Sequence, residues 1–362
     1  MSARVRRWLM LTAAGLALLA IGVGSGEFLA RRLSPSPVAT QAISSSPSPS
    51  PSPQAVPSPT PSPLAGCPAG QAVTDAPGLT QALKAARPGA VIVLAAGTYA
   101  GRFEATVTGT ADAPITLCGS RDAVIDGGDI KLGYSLHLNS VDWWRLIGFT
   151  IQGGQKGVVT DHVHHVLISG LYVHDVGDEA IHLRSASTDN TIEGVLIRNT
   201  GHLVAKFGEG IYVGSANHNW CKYSGCGPDT SDRNVVRNND ISNTTAENID
   251  IKEGTTGGTI EGNHLSGEGM VRSAATAWVN VKGNGWTIVG NVGHLSLKDG
   301  FQVHRVYAGW GERNLFRANQ AAVDGPGYGI YVQSASLATI VMCDNTATGA
   351  ASGLSNTPCR NA

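Results

Sequence analysis

The distribution of apolar and polar residues along the chain is dominated by a short frame in which the two kinds alternate. The copies of this frame are 179–184 (EAIHLR), 209–214 (EGIYVG), 247–252 (ENIDIK), 277–282 (AWVNVK), 299–304 (DGFQVH) and 328–333 (YGIYVQ). In the copy at 247–252, Ile249 and Ile251 alternate with Asp250 and Lys252. A period of two is typical of a β-strand that buries one face and presents the other. Each copy therefore predicts a short strand, and the recurrence predicts one structural unit used many times.

A second recurring pattern lies between the copies of the first. Short apolar runs end on asparagine at 235–239, 259–263, 287–291 and 315–319, and Asn345 follows Val341 in the same way. Most neighbouring copies are roughly two dozen residues apart, which is typical of the coils of a solenoid. Asparagine tolerates left-handed backbone conformations, and its amide can bond to the equivalent amide one coil away. Short strands, a recurrent turn asparagine and the absence of a helical period predict a parallel β-helix.

This combination resembles the right-handed parallel β-helix (pectin lyase-like) family, which includes the pectate lyases, chondroitinase B and related alginate lyases. The resemblance covers nearly all of the chain after Cys67. It implies an all-β, single-stranded parallel solenoid. Residues 77–86 (PGLTQALKAA) predict a short amphipathic helix, which would cap the apolar amino-terminal end of the solenoid.

The start of the chain has a composition of its own. Arginines at positions 4, 6 and 7 precede an apolar run over residues 8–24, and Ser-Pro repeats dominate from residue 34 to residue 63. We predict a signal peptide or N-terminal membrane anchor over 1–33, a Ser/Pro-rich disordered linker over 34–66 and the β-helix domain over 67–362. The protein is then secreted or held at the extracellular cell surface, with membrane contact only through the N-terminal segment.

Cysteine content and charge narrow the setting further. All six cysteines follow the apolar run, which is consistent with an oxidising compartment. Of the fifteen possible pairings, we favour Cys67–Cys118, Cys221–Cys226 and Cys343–Cys359, because each pair would fasten an end cap or a single loop. The formal net charge is −1, without a basic stripe, which argues against a nucleic-acid partner. We expect a monomer.

Stacking the alternating frames aligns equivalent positions in columns about 4.8 Å apart per coil. One column contains His182, Tyr212, Asp250, Asn280 and Gln302; the next contains Arg184, Lys252, Lys282 and His304; a third contains Glu179, Glu209 and Glu247. Closely spaced glutamates repel one another unless something positive compensates them. Glu209, Glu247 and Asp250 could hold a calcium ion. Alternatively, Arg184, Lys252 and Lys282 pair with the acids, or the glutamates accept backbone N–H bonds.

The family resemblance assigns chemistry to these columns. In chondroitinase B and related alginate lyases, metal-binding acids precede a catalytic lysine on one strand, and Glu247 and Lys252 are similar to that pattern. The basic partner on the next coil is here Lys282 and not arginine, and the asparagine ligand of the family has no secure match. The implied activity is calcium-assisted β-elimination in an acidic, uronic-acid-containing polysaccharide. That reaction needs a cation at the carboxylate, a base and a proton donor.

Within that interpretation we expect Lys252, Lys282 and His304 to be catalytic, with Lys282 depressing the pKa of Lys252 so that the lysine can act as a base. In the insertion between Gly214 and Asn234, Trp220, Lys222 and Tyr223 could stack on and charge-pair with an acidic sugar, or the insertion is an ordinary disulfide-tied surface loop. The expected substrate-binding residues are His182, Arg184, Tyr212, Trp220, Asn280, Gln302 and Arg305. Lys252→Ala should abolish turnover with little loss of stability, because an exposed amine contributes little to folding.

Other interpretations stay open from sequence alone. The same sheet could bind glycans without catalysis, or a carboxyl pair, Glu247 with Asp250 or Asp299, could support glycoside hydrolysis. A C5-epimerase begins with the same proton removal as a lyase. Residues 161–165 (DHVHH) could bind a transition metal or form a solvated turn.

Overall fold

The alternating frames fold as short parallel strands that wind into three sheets. We describe residues 67–361 in a computed structural model; the predicted signal or anchor segment and the Ser/Pro linker lie outside the described residues. Strands follow one another in the order first, third and second sheet, so that each circuit adds one strand to every sheet. The sheets contain 11, 10 and 10 strands. The predicted right-handed parallel β-helix is confirmed.

The strands of the first sheet carry the apolar runs that end on asparagine. They are Gln71–Val73, Val91–Leu94, Ile115–Gly119, Trp144–Ile147, Leu167–Ser169, Thr191–Glu193, Val235–Arg237, Thr259–Glu261, Thr287–Val289, Leu315–Arg317 and Ile340–Val341. The second sheet carries the alternating frames. Its strands are Phe103–Ala105, Tyr134–Asn139, Lys156–Asp161, Ile181–Arg184, Ile211–Val213, Ile249–Ile251, Val279–Val281, Phe301–Val303, Tyr328–Val332 and Gly353–Ser355.

The third sheet closes each coil. Its strands are Gly97–Ala100, Ala123–Asp126, Thr150–Gln152, Tyr172–His174, Leu196–Arg198, Asp240–Ile241, His264–Ser266, Val292–His294, Gln320–Gly325 and Thr346–Ala350. Short helices are few among the described residues: α-helices Ala76–Ala85 and Trp220–Tyr223, and 3₁₀ turns Ala205–Phe207, Asn217–Asn219 and Ala335–Leu337.

The interior of the coils is apolar, as the period of two requires. Ile249 and Ile251 are completely buried, and they stack on Ile211 and Val213 of the preceding coil and on Val279 of the next. The burial of whole aliphatic side chains contributes about 1.5–3 kcal/mol each. This register fixes the outward positions of the second sheet as well.

The predicted capping helix is confirmed at Ala76–Ala85. Asp75 provides its N-cap, because the side chain accepts a hydrogen bond of 2.7 Å from the Gly78 amide. Leu79 and Leu83 are buried over the first coils. The helix therefore covers the amino-terminal end of the solenoid, which would otherwise expose apolar side chains.

Buried asparagines form a continuous ladder, as the sequence predicted. Each side-chain amide donates to the next along the series Asn239, Asn263, Asn291, Asn319 and Asn345 at 2.8–2.9 Å. The expectation of left-handed backbone at these asparagines is wrong. The positive φ values belong to the residues immediately before them, such as Gly262, Gly290 and Ala318, which turn the chain so that the amide points inward.

The three favoured disulfides, Cys67–Cys118, Cys221–Cys226 and Cys343–Cys359, are all present. The first ties the segment before the capping helix to a strand of the first sheet, the second closes the insertion, and the third fastens the carboxyl-terminal coil. Such bonds persist in oxidising surroundings and support an extracellular protein. Within residues 67–361 no helix is both long and apolar enough to span a membrane.

Candidate active site

The columns predicted from the alternating frames are real neighbours on the outer face of the second sheet. His182 pairs with Tyr212, Tyr212 with Asp250, Asp250 with Asn280, and Asn280 with Gln302. These side chains point away from the apolar interior, yet Asp250 is only 1% exposed. Loops at the two ends of the strands stand over the column and leave a polar cleft.

Two loops build the walls of this cleft around the strand Ile211–Val213. Residues 201–208 precede the strand and residues 215–233 follow it, so the loops stand at its opposite ends. Between them lies a cavity of about 360 Å³. It is lined by residues of the second sheet and of both loops: Tyr134, Gln155, Lys156, Asp178, Glu179, His182, Arg184, Lys206, Phe207, Glu209, Tyr212, Ser215, Ala216, His218, Asn219, Lys222, Tyr223 and Lys252.

The wall formed by 215–233 is fixed by polar anchors beneath it. Buried Asp229 accepts hydrogen bonds from the backbone amides of Ser185 and Ala186 and from the hydroxyls of Ser215 and Ser231. Because four donors share one carboxylate, the loop has a defined position on the preceding coil. The cavity is therefore walled by a fixed loop.

Trp220 is part of that fixed loop and not a free platform for substrate. Its ring is buried, its indole N–H donates to the Ser215 carbonyl at 2.9 Å, and Tyr307 packs edge-on against it. The predicted contact between Trp220 and substrate is not supported by this position. Trp220 instead supports the wall.

The centre of the cavity floor is a lysine placed against a phenol. The ammonium of Lys252 lies 4.5 Å from the centroid of the Tyr212 ring. Burial raises the pKa of Tyr212 well above its usual value, while the charge of Lys252 opposes this rise. Both side chains carry a transferable proton, and both line the cavity.

His182 packs edge-on against the same phenol, with ring centroids 4.4 Å apart. Its Nε2 lies 2.9 Å from the Gly214 carbonyl, which can only accept, so Nε2 carries a proton. Burial and the nearby charges of Lys156 and Arg184 lower the pKa of His182 well below its usual value. The imidazole is therefore neutral, with Nδ1 lacking a hydrogen-bond partner among the described residues.

Asp250 lies between two lysines. Its carboxylate oxygens are 2.5 Å from Lys252 Nζ and 2.6 Å from Lys282 Nζ. Burial acts to raise the pKa of Asp250, but the two ammonium groups outweigh it and hold the pKa below its usual value. Burial acts to lower the pKa of Lys252, and the negative charges around it, Asp250 foremost, raise the pKa well above its ordinary range. This is the reverse of the depressed lysine pKa that the sequence suggested.

Glu209 and Glu247 flank this ion pair. Burial, followed by the neighbouring carboxylates, raises the pKa of both side chains. Glu247 accepts a hydrogen bond from Asn280, whereas Glu209 Oε2 is buried and has no hydrogen-bond partner within residues 67–361. Glu209, Glu247 and Asp250 each offer an oxygen within 4.8 Å of the others. An oxygen-only donor set with one unpartnered carboxylate oxygen fits a hard cation such as calcium, although the lysines already neutralise Asp250.

Arg184 is committed to the protein at the far side of the cavity. It is 4% exposed, and its Nε and Nη2 donate to the two carboxylate oxygens of Asp161 at 2.8 and 2.9 Å. Nη2 also donates to the Tyr134 hydroxyl, and the guanidinium carbon lies 4.2 Å from the ring centroid of Tyr223. Arg184 therefore joins the strand to the wall loop, while its pairing leaves little charge for a ligand.

The remaining predicted residues lie on later coils and are paired with other side chains there. Asn280 Oδ1 is 2.8 Å from His304 Nδ1, and Gln302 donates to Asp299. Arg305 pairs with Glu312 at 2.7 Å near the surface. None of these four predicted residues lines the cavity.

Several residues that line the cavity were missed by sequence reasoning. Lys156 and Tyr134 begin frames at 156–161 (KGVVTD) and 134–139 (YSLHLN), which continue the alternating pattern one and two coils earlier and could have been found by it. Lys206 and Phe207 belong to a loop without any repeat signal. The histidines of 161–165 do not gather as a metal site, since the one such cluster among residues 67–361 is Glu209, Glu247 and Asp250.

Comparisons with known proteins agree with this architecture. The family described as the right handed beta helix region matches residues 216–357. An alginate lyase from Paenibacillus sp. str. FPU-7 is 35% identical, with a TM-score of 0.69 over 80% of this chain and 96% of that one. Pectate lyase Pel9A is 16% identical, with a TM-score of 0.58 over 78% of this chain and 73% of that one. No curated protein sequence matches the chain.

A rhamnogalacturonan lyase is also similar, at 12% identity and a TM-score of 0.51, over 72% of this chain and 75% of that one. The two neighbours of low identity share the fold. The alginate lyase matches over almost its full length at much higher identity. The chain belongs to the right-handed parallel β-helix family, whose solved members include polysaccharide lyases.

Proposed function

We propose that this protein is a polysaccharide lyase that cleaves a uronic-acid-containing polymer by β-elimination in the cavity around Tyr212 and Lys252. The observation that carries the proposal is the contact of 4.5 Å between the Lys252 ammonium and the Tyr212 ring on the cavity floor. The similarity to an alginate lyase at 35% identity supports the same class of reaction. Uronates are carboxylates, and the cavity contains several cationic side chains to receive them.

The reaction needs two proton transfers in one site. Burial keeps the Tyr212 phenol protonated at rest, so its proton first leaves to solvent when substrate binds beside the opposing charge of Lys252. The resulting phenolate oxygen takes the proton at C5 of the uronate, the C4–O bond breaks, and a C4=C5 double bond forms. Lys252 gives a proton to the departing glycosidic oxygen. Tyr212 then holds a proton as it does at rest, and the Lys252 amine regains one from solvent. The Lys252 ammonium lies 4.5 Å from the centroid of the Tyr212 ring, so one sugar residue in the cavity can meet both side chains.

The assignment of Lys252 as donor follows from its surroundings. Since Asp250 and Glu209 raise its pKa, Lys252 is protonated at neutral pH and is poorly suited to be the base. Lys282 and His304, which the sequence placed with the catalytic residues, lie one and two coils beyond the cavity. We assign Lys282 to holding Asp250, and His304 to holding Asn280.

Calcium is a further part of the proposal. Glu209, Glu247 and Asp250 would hold it, and it would supply positive charge beside the substrate carboxylate and relieve repulsion among the acids.

Product formation tests the proposed function. Full-length protein is incubated with alginate, pectate and glucuronan, and products are separated by mass spectrometry. β-Elimination gives oligosaccharides with an unsaturated end, whereas hydrolysis adds one water to each product. Saturated products would reassign the chain to glycoside hydrolysis, and an unbroken polymer with altered C5 configuration would reassign it to epimerisation.

A further inference from the structure

The mouth of the cavity carries a pattern that the proposed chemistry does not use. Each wall loop presents a lysine whose ammonium lies over an aromatic ring of the same loop. Lys206 Nζ is 4.9 Å from the Phe207 centroid, and Lys222 Nζ is 4.7 Å from the Tyr223 centroid. Because the loops stand at opposite ends of the strand Ile211–Val213, the two pairs face the cavity from its two sides.

The lysines of the cavity differ in how they are neutralised. Lys156 pairs with Glu179 and Lys252 pairs with Asp250, both on the floor. Within residues 67–361, lysine ion pairs are formed by Lys156, Lys252, Lys282 and Lys298. Lys206 and Lys222 therefore remain without a carboxylate partner in that part of the chain. Both are exposed at the mouth, where an incoming anion would meet them first.

The loop that carries Lys206 and Phe207 is held in place at its base. A Cβ at Gly208 would lie 1.9 Å from Thr245 Oγ1 and 2.5 Å from Gly201 Cα, so only glycine permits the close approach of the two loop ends. Thr245 also donates to the Ala205 carbonyl at 2.8 Å. Phe207 is nevertheless 43% exposed. A large apolar ring held at the rim of a polar cavity is typical of contact with the apolar face of a sugar.

The opposite pair is fixed from below. Tyr223 packs over the guanidinium of Arg184, which Asp161 holds, and Cys221–Cys226 closes the short segment that carries Lys222. One ring face of Tyr223 is thus occupied by the protein. Its contribution is to position Lys222, and the free sugar-binding surface belongs to Phe207.

We propose that Lys206, Phe207 and Lys222 form a subsite that binds one uronate residue of the polymer at the mouth of the cavity, beside the residue that reacts. Lys206 and Lys222 approach that residue from the two sides of the cavity and offset the charge of its carboxylate, and Phe207 contacts its ring. This inference rests on the proposed function for its substrate class. It makes the subsite selective for charged over neutral sugars, because the lysines of the floor already have carboxylate partners and the lysines of the mouth do not.

The test is a binding measurement in full-length protein carrying Lys252→Met, so that turnover does not consume the ligand. Isothermal titration calorimetry compares oligouronates from alginate and pectate with the same oligosaccharides after chemical reduction of their carboxyl groups. Lys206→Gln and Lys222→Gln should each weaken uronate binding about fivefold, the upper range for an exposed ion pair. Neither change should weaken binding of the reduced, neutral oligosaccharide. Lys84→Gln, an exposed lysine on the capping helix, is the matched control.

Phe207→Ala should weaken both ligands to a similar extent, because ring contact does not depend on the carboxyl group. The subsite is wrong if Lys206→Gln/Lys222→Gln leaves uronate affinity unchanged, or if charged and neutral ligands lose affinity equally in that variant. Its failure is separable from failure of the proposed function. Lysine-dependent binding without unsaturated product from the parent chain would refute the lyase alone, whereas turnover with unchanged KM in the double variant would refute the subsite alone.

Discussion

Asp250→Asn tests whether two lysines on neighbouring coils depend on one carboxylate. The substitution keeps the size of the side chain and removes its charge. Asp250 is 1% exposed, and the side chains of Lys252 and Lys282 are only 13% and 10% exposed. Removal of one partner from a buried ion pair costs about 3–5 kcal/mol, because the remaining charge stays out of water without compensation.

Two structural details set the expected value within that range. Two ammonium groups would lose their shared partner, which increases the cost, but the carboxylates of Glu209 and Glu247 lie close enough to replace part of the lost charge. We expect the free energy of unfolding to fall by about 3 kcal/mol, at the lower end for a broken buried pair. Urea unfolding followed by circular dichroism measures this as a lower midpoint with an unchanged slope.

The matched control is Asp112→Asn, which changes an exposed carboxylate on the amino-terminal coils and should unfold as the parent chain does. If Asp250→Asn loses less than about 1 kcal/mol, the typical effect of an unexceptional substitution, the ammonium groups do not depend on Asp250. The account of the cavity floor, including the raised pKa of Lys252, would then be wrong.

The remaining predictions concern the asparagine ladder, the stability of the fold at low pH and the proposed calcium ion. Asn291→Ala leaves the backbone and side-chain donors of Asn263 without their acceptor. The free energy of unfolding in urea should fall by about 3–4 kcal/mol. A smaller fall than in the control Asn361→Ala, at an exposed asparagine, would contradict the stabilising role of the ladder. Despite burial, His137 and Arg184 hold the pKa of Asp161 below its usual value, so its stabilisation is complete above about pH 4 and is lost as pH falls further. Asp161→Asn should flatten the decline of the thermal midpoint between about pH 4 and pH 2; an equally steep decline in both chains would refute this. Dialysis against chelator should lower both turnover and the thermal midpoint, with recovery on adding calcium; identical values before and after would remove the metal from the proposal.

Most of the fold was predictable because one local rule recurs. A period of two fixes which side chains face the interior, and in-register stacking then fixes every column once two coils are aligned. For that reason the sequence alone predicts that Tyr212, Asp250 and Asn280 are neighbours in one column. The disulfides followed from the same coils, since each joins cysteines that a cap or a single loop brings close.

Burial on the outer face was not predictable from the repeat. The period of two assigns Lys252 to the outside, and we expected an exposed amine whose removal would hardly affect stability. The wall loops cover it, and it is paired with Asp250, so the expectation of an exposed amine is wrong. We now expect Lys252→Ala to destabilise the fold, because it breaks a buried ion pair. Lys252→Met, which keeps the length of the side chain, is the better variant for function.

The wall loops of the cavity could not be predicted from the sequence, for a related reason. Lys206 and Phe207 enter the site because Gly201 and Gly208 close a loop against Thr245, a contact between residues about forty positions apart that no periodicity encodes. Trp220 was expected to contact substrate, but its indole N–H donates to the Ser215 carbonyl within the insertion.

The most direct test of the account is the ultraviolet absorbance of an unsaturated uronate during incubation of full-length protein with alginate, pectate, glucuronan or glycosaminoglycans. We predict that absorbance rises with at least one polymer, and that Lys252→Met and Tyr212→Phe each slow the rise at least about 100-fold, the lower range for loss of an acid–base group. Lys84→Gln should proceed at the parent rate. A rise that persists in Lys252→Met, or no rise with any uronate polymer, would contradict the assignment of the Tyr212–Lys252 cavity as a lyase active site.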